Sequence, residues 1–325
     1  MTQDIATISA TPTPTASASE IIKHLREILQ RIRSEQTRGT YAQPGRPIES
    51  DPYAALLACV SVSYADADEK WRTIASDPKA IAMLNKIKFH RDDAEYDAEI
   101  ICSEDVIKNL RKPGVLSIRT LESFPLIGNY KLYHEIETNL LRGLGQKLDK
   151  PDLKVMFIGS GPLPITAWLL VEAISANPRS TMTCVELVPD ANERGHAFFS
   201  AMLDQPTSPA LPALLTRNSG QVRFITSNAL ALSPSTIASQ DVIYVAAMVD
   251  RPSKRQVLQY LVQHMRADSK LVCRSGQGLK GIFGGYVESA WFDGTRGEVE
   301  MRAQSSRTFL GQVIVRIKPD SACHQ

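Results

Sequence analysis

The chain has 325 residues, 43% of them hydrophobic and 22% charged, with a formal net charge of +2. That length suits two modest globular domains. The near-balanced charge argues against an extended nucleic-acid surface, and no uninterrupted apolar run approaches membrane-spanning length.

Residues 1–19 are rich in Thr, Ser, Ala and Pro. They lack the basic start and apolar core of a secretory signal and the arginines of a mitochondrial presequence. They read as a disordered tail, with a cytoplasmic location expected. Ser19 can cap a helix that carries Ile21, Ile22, Leu25, Ile28, Leu29 and Ile32 at helical spacing. Residues 37–52, with Pro44, Pro47, Pro52, Gly39 and Gly45, read as a loop. Residues 53–64 are apolar and helical. Two more helices are predicted over 66–90, with Trp71, Ile74, Ile81, Leu84 and Ile87 as buried stripes, and over 91–110. The second holds Asp92, Asp93, Glu95, Asp97, Glu99, Glu104 and Asp105, most of them expected to be solvated. Lys112-Pro-Gly114 ends it. A short helical connector over 116–121, the turn Phe124-Pro-Leu-Ile-Gly-Asn-Tyr130 and a long helix over 131–150 complete an all-helical domain, residues 20–150.

The chain's organising stretch follows, Lys154-Val-Met-Phe-Ile-Gly-Ser-Gly-Pro-Leu-Pro164. An apolar strand runs into a Gly-Ser-Gly turn and then an apolar helix over 165–175, the first crossover of a doubly wound sheet. Glycines let a ligand approach the main chain, and the N–H groups at the helix start face it. The third position of Gly-x-Gly-x-x-Gly is Pro164, and no Gly-Lys-Ser/Thr follows, so this is neither a standard dinucleotide fingerprint nor a P-loop. The second strand, 181–187, ends near Glu186. A carboxylate there accepts hydrogen bonds from ribose hydroxyls, the alternative being a capping or surface acid. A helix over 189–205, a Pro-rich loop over 206–219, strands over 222–226, 241–247 and 270–275, a helix over 253–265 and an antiparallel pair over 297–303 and 310–317 follow. Five parallel strands and a terminal antiparallel pair describe an α/β, class I methyltransferase-like Rossmann sheet, residues 151–325. That sheet commonly holds S-adenosylmethionine at the carboxyl ends of its strands.

The five cysteines are scattered without Cys-x-x-Cys spacing. Cys184 and Cys273 fall in predicted buried strands as inert core residues, and a reducing compartment fits. The six histidines are dispersed, so no built-in metal cage is expected.

From about residue 85 to 290 the chain resembles nicotianamine synthases. Phe157-Ile-Gly-Ser-Gly-Pro-Leu-Pro164 is similar to the family's Phe-Val-Gly-Ser-Gly-Pro-Leu-Pro. Val245-Ala-Ala-Met-Val249 is similar to its Ala-Ala-Leu-Val, and Leu271-Val-Cys-Arg-Ser-Gly-Gln-Gly278 to its Leu-Arg-Ser-Ala-His-Gly. Phe124 to Tyr130 is similar to Phe-Pro-Tyr-Tyr-x-Asn-Tyr, and Pro189 with Ala191-Asn192 matches the start of its second helix. The chain departs from the family in three places. Glu186-Leu-Val-Pro189 keeps the first acid of Asp-Ile-Asp-Pro and loses the second at Val188; Asn228 stands where an acid is common; Leu126 and Ile127 replace two tyrosines. The last change bears on the amino acceptor.

The resemblance implies a nicotianamine synthase: three S-adenosylmethionine substrates give nicotianamine, a metal chelator, and three methylthioadenosines. It implies nucleoside contacts from Gly159, Ser160, Gly161, Pro162, Glu186, Asn228 and Ala246. It also implies a proton acceptor at Glu104, a substrate-holding hydroxyl at Tyr130 and a substrate carboxylate partner at Arg274. Each has a plainer alternative: a solvated helix acid for Glu104, a core aromatic for Tyr130, a salt bridge to the helical domain for Arg274. If Glu104 is not the base, Glu95, Glu99, Tyr130 or a bound water remain. Rival readings are a single-transfer opine-metallophore precursor synthase acting on histidine or another amino acid, an S-adenosylmethionine-dependent methyltransferase, and a non-catalytic adenosine-binding scaffold. The expected partner is a small molecule, with no nucleic acid, no membrane and no catalytic metal; a homodimer is compatible with the reading.

Overall fold

The computed structural model describes residues 11–38, 52–62, 66–110, 121–122, 124, 126–174, 179–203, 221–247, 249, 251–276, 278–282, 285–303 and 310–319. The chain divides into two compact units. The first comprises residues 1–98, 276–286 and 305–310; the second comprises 99–275, 287–304 and 311–325. The division falls at residue 99, within a helix. Residues 116–120 of the connector expected over 116–121, the expected helix stop at 112–114, most of the 37–52 loop, the 206–219 loop and residues 1–10 lie outside the described residues.

In the first unit, helix α1 runs Ala18–Arg38. Its start is a capping box on Ser17, two residues before the expected cap. Ser17 Oγ accepts from the Glu20 N–H, while Glu20 Oε2 accepts from the Ser17 N–H at 2.7 Å. Ile21, Leu25, Ile28, Leu29 and Ile32 form the buried stripe that their spacing predicts. Helix α2 is Pro52–Ser61, α3 is Ala67–Ser76 and α4 is Pro78–Leu110. The helical break expected near residue 90 is instead at Asp77, which is extended (ψ 107°) because the following proline disfavours helical geometry there. Asp77 Oδ1 then accepts from the Lys79 N–H and starts α4. With neither Gly nor Pro between residues 79 and 110, α4 runs 33 residues unbroken. Near its middle, Arg91 is buried and paired with Asp92 and Glu95, so these two acids do more than face water.

The second unit holds residues 99–110 of α4, helix α5 (Ile127–Gly143) and a seven-stranded sheet. Helix α5 begins four residues before the expected start. The Leu126 carbonyl accepts from the Asn129 and Tyr130 N–H groups, so the aromatic turn is its first turn. The strands are β1 Lys154–Ile158, β2 Thr181–Glu186, β3 Val222–Thr226, β4 Val242–Val245, β5 Lys270–Ser275, β6 Gly297–Ala303 and β7 Gly311–Ile317. Their order is β3-β2-β1-β4-β5-β7-β6, parallel except for β7, which is antiparallel to both β5 and β6. Helices α6 (Ile165–Ile174), α7 (Pro189–Leu203), α8 (Pro234–Ala238) and α9 (Arg251–His264) join them.

Because strand side chains alternate, the sheet has two distinct faces. Met156, Ile158, Ile243, Val245, Leu271 and Cys273 pack with Val257, Leu258, Leu261 and Val262 of α9 in one apolar core. Register places Phe157, Tyr244 and Val272 in line on the other face. Arg274, two residues beyond Val272 on the same face, pairs with Gln312 of β7. At the amino ends of the strands, Asp241 takes Lys150, Arg266 and the Lys154 N–H, tying β4 to β1. Cys184 and Cys273 are fully buried, and burial pushes the Cys273 thiol up to about 12, as expected of inert core residues. Among the described residues no helix is long and apolar enough to cross a membrane.

Candidate active site

The carboxyl ends of β1, β2 and β4 converge on the glycine turn. The Gly159 N–H reaches across to the Val185 carbonyl at 2.8 Å, and the Ala246 N–H to the Ile158 carbonyl at 2.9 Å. Gly159 and Gly161 have φ of 78° and 68°, a left-handed geometry that glycine adopts without strain. The neighbours add a second constraint. A Cβ on Gly159 would stand 3.1 Å from Ala246 Cβ, and one on Gly161 would stand 2.9 Å from Glu99 Oε2. Ser160 and Pro162 are buried, and Ser160 Oγ lacks a hydrogen-bond partner among the described residues.

Glu186, at the end of β2, organises the turn from the opposite side. Its Oε2 accepts from the Gly161 N–H at 2.9 Å, and its Oε1 accepts from the N–H groups of Leu187 and Val188 at 2.9 and 3.0 Å. A carboxylate has about four lone-pair sites, so acceptor capacity remains for a ligand hydroxyl. Leu187 is 63% exposed and Leu230, beyond β3, 37% exposed, giving bare apolar surface beside Glu186 and Asn228. Asn228 caps a short turn: its Oδ1 accepts from the Leu230 N–H at 2.9 Å, leaving a second lone pair on that oxygen.

The two candidate carboxylates of α4 part company. Glu104 is 56% exposed and pairs with Arg194 of α7. Glu99, five residues earlier, receives the Tyr130 hydroxyl on Oε1 at 2.9 Å while its Oε2 faces Gly161. The structure thus brings Glu99, Tyr130 and the glycine turn together, and puts Glu104 in a surface ion pair. Arg274 is buried, with Nε and Nη2 donating to Glu137 at 2.8 and 3.2 Å and Nη2 also donating to Thr166 Oγ1 at 3.0 Å. This is the salt-bridge alternative for that residue. Burial alone would weaken its cation; the Glu137 carboxylate outweighs this and holds the guanidinium above its ordinary pKa. His134 is pushed down to about 4 by burial, with the Arg274 and Arg142 cations adding to the shift, so it is neutral at pH 7.

Sequence reasoning gave Glu137, Thr166 and Lys254 no role. Lys254, only 1% exposed, donates to the carbonyls of Ala246, Ala247 and Arg274 and ties the ends of β4 and β5 together. A lysine four positions into α9 carries no signal of that. The recurrence of Tyr130, Tyr133, His134 and Glu137 at one-face helical spacing was readable.

Comparison with known proteins places the chain in a family. A model of the family "Nicotianamine synthase protein" matches residues 53–320. Nicotianamine synthase 3 of Oryza sativa subsp. indica is 29% identical over 165 residues, 50% of this chain and 43% of that protein. An L-histidine 2-aminobutanoyltransferase of Pseudomonas aeruginosa is also 29% identical over 165 residues, 49% of this chain and 53% of that protein. The chain therefore spans about half the length of the curated relatives it matches. Among solved structures, MtNAS in complex with MTA and tNA aligns with a TM-score of 0.67 at 19% identity, covering 91% of this chain and 98% of that one. A mutant of MtNAS in complex with S-adenosylmethionine gives 0.68, also at 19%. On the match of the family model over most of its length, the chain belongs to the nicotianamine synthase family.

Proposed function

We propose that the protein transfers 3-amino-3-carboxypropyl groups from S-adenosylmethionine and, by using three substrate molecules, forms nicotianamine. The observation that carries the chemistry is Glu99, lying between the Tyr130 hydroxyl and the glycine turn. The residues present fit the substrate. The Gly-Ser-Gly turn lets the main chain come close to a ligand, Ser160 Oγ is a buried group without a partner among the described residues, Glu186 retains acceptor capacity for ribose, and Leu187 and Leu230 offer apolar surface for adenine. Asn228, Pro162 and Ala246 complete the proposed nucleoside contacts.

In the transfer, a neutral amine attacks the γ-carbon of the methionine portion. A C–N bond forms as the C–S bond breaks, and the bond pair leaves with sulfur, turning the sulfonium into the neutral thioether of methylthioadenosine. The nitrogen must lose a proton, and Glu99 takes it. Tyr130 aims that carboxylate by its hydrogen bond, and Gly161 gives it room. The choice of γ-carbon over methyl is geometric, requiring the amine in line with carbon and sulfur. Incubating the purified protein with S-adenosylmethionine alone and weighing the products tests the proposal: nicotianamine with methylthioadenosine supports it.

A second reading is a single transfer to an amino acid such as histidine. The Pseudomonas relative is as similar as the plant ones, and Leu126 and Ile127 remove two phenols from the stretch leading to Tyr130. Its product would appear only when the acceptor amino acid is added.

A further inference from the structure

One side chain addresses a whole face of α5. Tyr130, Tyr133, His134 and Glu137 recur at i, i+3, i+4 and i+7, which stacks them along one side of the helix. Tyr133 and Glu137 are buried. Arg274, from the end of β5, forks onto Glu137 and Thr166. Its guanidinium carbon lies 4.6 Å from the centroid of the Tyr133 ring and 5.8 Å from that of Tyr130. The main chain that carries it is fixed as well, since the Lys254 ammonium donates to the Arg274 carbonyl at 3.0 Å.

A buried arginine–glutamate pair is a poor source of stability, because each ion gives up hydration that well-packed apolar residues would not lose. What the pair supplies is direction. A guanidinium fork bonded to a carboxylate and lying over aromatic rings fixes both partners in angle as well as distance. The same donors are spent, so Nε and Nη2 cannot also grip a substrate carboxylate.

We propose that Arg274, anchored by Glu137 and Thr166, is a positioning residue: it sets the rotation of α5 and the ring of Tyr130, and through Tyr130 the aim of the Glu99 carboxylate at the glycine turn. This rests on the reading of Glu99 as proton acceptor. Ring packing supports it, since Tyr130 neighbours both Arg274 and Phe124, whose ring centroid is 6.2 Å away. The seven-residue spacing from Tyr130 to Glu137 is two helical turns, so a clamp at Glu137 fixes the azimuth of Tyr130.

The test is a double-mutant cycle on methylthioadenosine release, with Arg274→Lys, Tyr130→Phe and the pair. Arg274→Lys keeps the charge and loses the fork. It should lower kcat about ten- to hundredfold, with KM for S-adenosylmethionine changed by no more than about twofold. In the Tyr130→Phe background the same change should cost less than about twofold, the ordinary error of additivity. Glu137→Gln should behave as Arg274→Lys does. Losses that multiply in the double variant, or a raised KM, would overturn the proposal, because Arg274 would then act on substrate directly. A second readout needs no turnover. Tyr130 ionisation, followed as the ultraviolet difference between wild type and Tyr130→Phe, should move to higher pH in Arg274→Gln, and an unmoved transition would count against the contact. Wild type releasing S-adenosylhomocysteine would sink the function reading and leave this spectroscopic test standing.

Discussion

The Tyr130 hydroxyl donates a 2.9 Å hydrogen bond to Glu99 Oε1, joining the first turn of α5 to the long helix α4 across 31 residues of sequence. The other oxygen of the same carboxylate meets the glycine turn at Gly161. One acid is thereby held by a phenol on one side and exposed to the proposed reaction centre on the other.

Glu99→Gln should keep the fold and the affinity for S-adenosylmethionine, because the amide preserves the shape and an acceptor for Tyr130. It cannot take a proton at neutral pH, so turnover should fall by about a hundredfold or more. Glu104→Gln, in the exposed pair with Arg194, should remain within a few-fold of wild type. Single-turnover rates for the two variants separate them, and a larger loss in Glu104→Gln would return the proton to that residue.

Gly161→Ala tests the room left for the carboxylate. The new Cβ would stand 2.9 Å from Glu99 Oε2 on a backbone with φ of 68°. Glu99 must turn away, and kcat should fall about tenfold or more. Calorimetry should show a smaller loss of substrate affinity; an unchanged kcat would show that Glu99 need not approach the turn.

Glu186→Ala strips the shared acceptor from three main-chain N–H groups. Each such charge-assisted bond is worth about 1.5–3 kcal/mol. S-adenosylmethionine binding should weaken at least about tenfold, and calorimetry finding wild-type affinity in a folded variant would remove Glu186 from the nucleoside site.

His134 should give stability a pH dependence. Burial and the Arg274 and Arg142 cations lower its folded pKa to about 4 from 6.5. Between those values the unfolded chain binds the extra proton, so stability is lost as pH falls from about 6.5 towards about 4 and is fully present above. The contribution is on the order of 3 kcal/mol. His24 and His90, also lowered chiefly by burial, add to the same limb. Urea unfolding across this range should show a shallower slope in His134→Gln, and an identical slope would mean that His134 is protonated without cost in the fold.

Sheet and turn were readable because both rest on local chemistry. An apolar run into Gly-Ser-Gly fixes the first crossover, and the acid 25 residues later reaches back to it through Gly161 N–H. The break between α3 and α4 was readable too, in Asp77-Pro78, but helical periodicity running through that point hid it. The choice between Glu99 and Glu104 was not readable. Five residues turn a helix by about 140°, so the two acids face different neighbours, and an acid-rich helix with weak apolar patterning does not declare which face is inward. Arg274 and Glu137 lie 137 residues apart in sequence. Each looks ordinary alone, and only the register of β5 brings them together.

The claim on which the rest depends is that the γ-carbon is attacked. Chromatography of the adenosine product after incubation of the purified protein with S-adenosylmethionine, with and without added histidine, addresses it directly. The account predicts methylthioadenosine as the main nucleoside product, formed without an added acceptor if nicotianamine is made. S-adenosylhomocysteine as the main product would show methyl transfer and contradict it.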